Sequence, residues 1–169
     1  SLKRYMAWDE WPSSEMADKK VLIVVGEHRP FTKRQQIALD NFCNSHNAVV
    51  YVNHLSNYSG TYSIQANMLV SCGGFSKLKP ELLITIGGQT GDYSIYGALK
   101  NLNGVEHWRV AEDGAFVDTY GKLTKIFECP DYFFFEKMAV NTNSTHSYYE
   151  EWSTLNDTIN YDVELPLSN

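Results

Sequence analysis

The stretch Glu81-Leu-Leu-Ile-Thr-Ile-Gly-Gly88, continued by Gln89-Thr-Gly91, constrains the fold more than any other part of the chain. Leu82 to Ile86 is a short apolar run rich in β-branched residues, preceded by the breaker Pro80 and closed by paired glycines. Such a run suits a strand covered on both faces, as in a parallel α/β sheet. Asp92 to Asn101 then reads as a helix. The carboxyl end of a strand in this setting is where open α/β sheets place ligands.

The same pattern recurs along the chain. Val21 to Val25 is a second buried-strand run, ended by Gly26. Pro30 and Thr32 introduce a helix over Lys33 to Ser45, with Thr32 as its N-cap and Ile37, Ala38, Phe42 and Cys43 on its apolar face. Ala48 to Val52 is the next strand, and a polar loop follows from Asn53 to Gly60. Ser63 to Met68 reads as a short helix and Leu69-Val70 as a brief strand. Beyond the central run, Ile95, Ala98 and Leu99 share one helical side, and Glu106 to Val110 and Lys125 to Cys129 are further strands. Asp131 is placed to cap a helix containing Phe134, Phe135 and Met138, and a last helix covers His146 to Leu155. Strands alternating with helices predict a Rossmann-like α/β domain, with a mostly parallel sheet of about five or six strands and helices on both faces. The expected organisation is a linker over 1–18, the α/β domain over 19–140, and a helix and linker over 141–169 leading towards a missing domain. Trp8 and Trp11, in the first segment, either pack locally or dock on a neighbour.

Composition narrows the function classes. With 14 basic and 20 acidic side chains the formal charge is -6, which argues against a broad nucleic-acid surface. No apolar run approaches the roughly 18 residues of a membrane span, and the opening residues do not read as a signal peptide. Cys43, Cys72 and Cys129 have no metal-site spacing and are odd in number, so reduced thiols and a cytoplasmic location are the simpler expectation.

Candidate chemistry clusters at strand ends. Gly87-Gly-Gln-Thr-Gly91 joins a strand to a helix without the spacing of a dinucleotide fingerprint or the Lys of a P-loop. Its plainer reading is a tight turn; its functional reading is an anion site at a helix start. Asp92 suits the helix dipole but would repel a phosphate. Glu27 and His28 follow the first strand as acid–base residue types with no nucleophile beside them, which reads more simply as a solvated loop. His107 and Arg109 fall on one side of their strand and Trp108 on the other. Arg29, Arg34 and Arg109 are candidate carboxylate contacts. Asp113 and Asp118 lack the further oxygen ligands a cation needs.

The order of segments carries a resemblance. Lys20-Val-Leu-Ile-Val-Val-Gly26, Pro80-Glu-Leu-Leu-Ile-Thr-Ile-Gly-Gly88 with Thr90-Gly91, His107-Trp-Arg-Val110 and the Gly114-to-Asp118 turn resemble the middle domain of menaquinone-pathway 2-succinyl-5-enolpyruvyl-6-hydroxy-3-cyclohexene-1-carboxylate synthase, a thiamine-diphosphate enzyme. The resemblance covers about Lys19 to Met138. It implies a whole enzyme that decarboxylates 2-oxoglutarate and adds the succinyl-semialdehyde equivalent to isochorismate, using thiamine diphosphate and Mg or Mn. The partners it implies are pyrimidine-binding and diphosphate-binding domains of the same protein, assembled as a homodimer or homotetramer. The activating glutamate and the Gly-Asp-Gly metal segment belong to those domains, so the expectation here is a non-catalytic central structural domain with no catalytic, cofactor-binding or metal residues of its own. Some relatives carry basic residues directly after the Thr-Gly; Asp92 and Tyr93 stand there in this chain. The candidate substrate or allosteric edge comprises Gly26, Arg29, Gly87, Gly88, Thr90, Gly91, Asp92, Tyr93 and Arg109. The alternative reading is a nucleotide-binding or allosteric carboxylate-binding α/β module.

Overall fold

A computed structural model describes residues 1–65, 70, 73–90, 93–139 and 145–167; for 93–94 and 159–167 the description is of the backbone alone. Among these residues seven strands form one sheet: β1 (Lys3–Met6), β2 (Val21–Val25), β3 (Ala48–Tyr51), β4 (Ser63–Ile64), β5 (Leu82–Ile86), β6 (Glu106–Val110) and β7 (Leu123–Glu128). The helices are α1 (Lys33–Ser45), α2 (Gly74–Lys77), α3 (Tyr93–Lys100), α4 (Asp131–Met138) and α5 (Ser147–Leu167), with a 3-10 turn at Ser13–Met16. Every strand pairing is parallel, in the order β1-β7-β6-β5-β2-β3-β4.

Strand alternation divides the core into two layers. Val21, Ile23 and Val25 face the same side as Leu82, Ile84 and Ile86, and pack with Ala38, Leu39 and Phe42 of α1 and Phe134, Phe135 and Met138 of α4. Leu22, Val24 and Leu83 face the opposite side, beneath Phe75 of α2, Ile95 and Leu99 of α3, and Tyr148 and Trp152 of α5. This is the predicted Rossmann-like arrangement, and the two-sided burial explains why the central runs are almost wholly apolar.

Local chemistry sets the best-defined boundary. The Thr32 hydroxyl accepts from the Gln35 N–H at 3.1 Å, and the Gln35 side chain accepts from the Thr32 N–H at 2.9 Å. This reciprocal box satisfies two donors that would otherwise be orphaned at the start of α1.

Several details differ from the sequence expectation, among them a last helix that runs to Leu167 rather than Leu155 and a helical rather than extended Val70. The sheet has one strand more than the five or six expected, because β1 forms within the segment read as a linker. β1 is held by long-range contacts: Arg4 donates to the Gly114 carbonyl and pairs with Glu128 at 3.1 Å, and the ring of Tyr5 stacks on Phe127 at 5.0 Å. Ser63–Ile64 is a strand rather than the start of a helix, because it extends the sheet beside Val50 and Tyr51; residues 66–69 lie outside the described set. Pro130, not Asp131, is the N-cap residue of α4, and the Asp131 carboxylate is engaged elsewhere. Ile37 is exposed, since the buried face of α1 runs through Ala38, Leu39, Phe42 and Cys43.

Candidate functional site

The chain runs outward from β2 to β3 and β4, then returns to the other side of β2 as β5 and proceeds to β6 and β7. The carboxyl ends of β2 and β5 therefore flank the point where strand order reverses, the place at which open α/β sheets form a crevice. Here the two exits are laced together. Gly26 N–H donates to the Ile86 carbonyl at 3.0 Å, Glu27 N–H to Gln89 at 3.1 Å, and Gly88 N–H to Glu27 at 2.8 Å. A Cβ on Gly26 would be driven into the Gly88 carbonyl, and Gly87 holds φ at +77°, a conformation side-chain-bearing residues rarely adopt. The Asn53 amide, after β3, donates to the Thr90 carbonyl at 2.9 Å and ties a third strand exit to the same place.

Beside this lacing lies a cavity of about 510 Å³, lined by the glycine turns together with Thr85, Gln89, Thr90, Tyr96, His107, Arg109, Thr119 and Tyr120. Its size is within the range of small-molecule pockets. His107 Nε2 meets the Thr85 hydroxyl at 2.8 Å, and the His107 ring lies edge-on to Tyr120 with centroids 5.6 Å apart. Burial is the main cause that pushes the His107 pKa down to about 4, with Arg109 acting in the same direction against the opposing field of Asp118. The ring is therefore neutral at ordinary pH. Arg109 donates to Asp113 at 3.2 Å and to the Ala115 carbonyl at 2.8 Å, so its guanidinium braces the loop that follows β6.

Of the residues singled out from sequence, Gly26, Gly87, Gly88, Thr90 and Arg109 line this cavity. Arg29 is exposed and is not among the lining residues. Gly91 and Asp92 lie outside the described residues, and Tyr93 is described as the first backbone position of α3. Thr85, Tyr96, His107 and Tyr120 were not in the candidate set. Strand alternation placed His107 on the same side as Arg109, but nothing local in the sequence paired it with Thr85.

Other polar clusters are engaged within the fold. His28, read more simply as part of a solvated loop, instead contacts Asp131 at 2.7 Å and stacks on Phe31 with centroids 4.0 Å apart. Arg34 makes a two-pronged contact with Glu136, at 2.8 and 3.0 Å. Lys125, 8% exposed, bridges Glu106 at 2.7 Å and Glu15 at 3.3 Å. Burial opposes the Glu106 charge, but hydrogen bonds from Lys125, Thr124 and Trp108 outweigh it and bring the pKa to about 2. Cys43 and Cys129 are buried free thiols; burial pushes both pKa values up, that of Cys129 to about 11, which disfavours the reactive thiolate.

The described residues do not fit a resident metal. They contain no group of three or more His, Cys, Asp or Glu side chains arranged to hold one. Asp113 is engaged with Arg109 and the Ala115 N–H, and Asp118 accepts from the N–H groups of Lys122 and Leu123. No described helix is long and apolar enough to cross a membrane.

Fold and site together define a doubly wound, parallel α/β unit with a ligand-sized cavity at its strand-order reversal. No protein-family model matches the chain. It is a distant, partial homologue of bacterial 2-succinyl-5-enolpyruvyl-6-hydroxy-3-cyclohexene-1-carboxylate synthases. It is 31% identical to that of Flavobacterium psychrophilum over 139 residues, covering 80% of this chain and 25% of the relative. For Bacteroides thetaiotaomicron the identity is 37% over 84 residues, or 49% and 15% of the two chains. For Flavobacterium johnsoniae it is 28% over 145 residues, or 83% and 26%. The chain thus spans about a quarter or less of the length of the curated relatives it matches.

Proposed function

We propose that this chain is the central, non-catalytic domain of a thiamine-diphosphate-dependent synthase. The whole enzyme would decarboxylate 2-oxoglutarate and add the resulting succinyl-semialdehyde equivalent to isochorismate, in menaquinone biosynthesis in the cytoplasm. The observation that carries this reading is the match to the synthases over 80% of the chain but only 25% of the relative, which fits one domain of a larger enzyme.

The cofactor would supply the electron sink for decarboxylation and the nucleophilic carbon for the addition. The described carboxylates of this chain do not fit its metal, so no chemical step is assigned to them. Their arrangement supports a structural role instead: two buried cores and laced strand ends make a stiff spacer that positions flanking pyrimidine-binding and diphosphate-binding domains. In that role the enzyme would act as a homodimer or homotetramer, with its reactive centres assembled outside this chain.

The test is the reading frame that encodes the chain. A pyrimidine-binding segment with an activating glutamate is expected upstream, and a Gly-Asp-Gly metal segment downstream. A frame lacking both would overturn the assignment.

A further inference from the structure

His107 is 1% exposed, the second residue of β6, at a position where an aliphatic residue would pack at least as well. Its Nε2 is satisfied by Thr85, yet its Nδ1 is buried with no hydrogen-bond partner, against the rule that such atoms are paired. The residue lines the cavity beside β5 and β6. We propose that this cavity is a binding site for a small, planar, uncharged ring compound that carries both a hydrogen-bond donor and an acceptor, with the Thr85–His107 pair reading that edge.

Three features favour an uncharged ligand. Among the described lining residues Arg109 is the one charged side chain, and it is already engaged by Asp113 and the Ala115 carbonyl. The N–H groups of Gly26, Glu27 and Gly88, which a phosphate would need, are paired across the two turns. The buried imidazole is held neutral, so it places no positive charge beside the cavity.

The Thr85–His107 contact gives the site its particular chemistry. A threonine hydroxyl both donates and accepts, and neutral imidazole has two tautomers. If Thr85 donates to Nε2, its oxygen is left to accept from a ligand; if Nε2–H donates to Thr85, the hydroxyl proton is left to donate. The tautomer of the buried ring is thus expressed at the half-buried Thr85 hydroxyl. The pair can therefore meet either the donor or the acceptor of such a ring through the Thr85 hydroxyl. The ring preference comes from Tyr120, edge-on to His107, and Tyr96, whose ring centroid is 6.1 Å from that of Tyr120. This inference is independent of the synthase reading, because every group in it belongs to this chain.

The test compares nicotinamide, adenine and nicotinate as probes of the isotope-labelled chain. Nicotinamide and nicotinate share a ring and differ in whether the substituent is neutral or anionic. We expect millimolar nicotinamide or adenine to shift the backbone resonances of Thr85, His107 and Tyr120 and the imidazole nitrogens of His107. Nicotinate should bind no more tightly than nicotinamide. Thr85→Val, which keeps the side-chain shape, should weaken binding about tenfold while the spectrum remains that of the folded chain. Tighter binding of nicotinate would mark an anion site on Arg109 and overturn the proposal. So would unchanged affinity in Thr85→Val, or failure of both uncharged rings to perturb the cavity.

Discussion

The imidazole of His28 donates through Nε2 to the carboxylate of Asp131 at 2.7 Å, joining the exit of β2 to the first turn of α4. Nδ1 meets the Arg29 carbonyl at 2.6 Å. Both partners accept, so both ring nitrogens carry protons and the pair is ionic. Burial works against the charge on His28, but the bonds to Asp131 and Arg29 and the carboxylate's field outweigh it and raise the pKa above 6.5. For Asp131 burial likewise opposes the charge, and His28, Gln35 and the Tyr132 N–H together bring the pKa below 3.8.

The pH dependence follows from those directions. The His28 contribution is complete below its unfolded pKa of about 6.5 and is lost as pH rises through its raised folded value. The Asp131 contribution is complete above its unfolded pKa of about 3.9 and is lost as pH falls through its depressed folded value. Asp131→Asn should therefore cost most near pH 5.5, about 2 kcal/mol as for a hydrogen bond to a charged group, and progressively less towards alkaline pH. Thermal unfolding of both proteins across pH measures this. A difference in melting temperature that stays flat with pH would contradict the ionic pair.

Two glycines should respond in opposite directions. Gly26→Ala forces a Cβ against the Gly88 carbonyl and must part the laced turns, at about 3 kcal/mol. Gly97 sits inside α3, where an added Cβ would meet no heavy atom within 4 Å, so Gly97→Ala should stabilise by roughly 0.5–1 kcal/mol through helix propensity alone. Denaturant unfolding separates the two. Equal effects would mean that the turn contact does not constrain the crevice.

The two amino-terminal tryptophans should also separate. Trp11 is 7% exposed, donates from Nε1 to the Met6 carbonyl at 2.9 Å, and packs against Phe127, Phe133 and Phe134. Its replacement by Ala should cost about 3–4 kcal/mol. Trp8 is 78% exposed, and Trp8→Ala should stay within about 0.5 kcal/mol in the isolated chain. Comparable losses in chemical denaturation would contradict the packing of the first segment.

What could be read from sequence was local. Val21–Val25 and Leu82–Ile86 announced themselves as buried strands by continuous apolarity, and Thr32, a capping residue type two positions after Pro30, announced its helix. β1 was illegible because its four residues, Lys3–Met6, lie at an edge without clean alternation and owe their place to Gly114, Phe127 and Glu128. Ser63–Ile64 is too short to show any period. The glycine turns marked the edge of the cavity. The Thr85–His107 contact inside it spans 22 positions and arises from the pairing of β5 with β6, which no single stretch encodes.

The synthase assignment is tested most directly by turnover of 2-oxoglutarate with isochorismate, thiamine diphosphate and Mg, comparing the intact encoded polypeptide with the 169-residue chain alone. Cofactor-dependent carbon dioxide release and coupling to isochorismate are expected from the intact polypeptide, and none from the chain alone. Turnover by the chain alone, or its absence in a folded preparation of the intact polypeptide, would contradict the assignment.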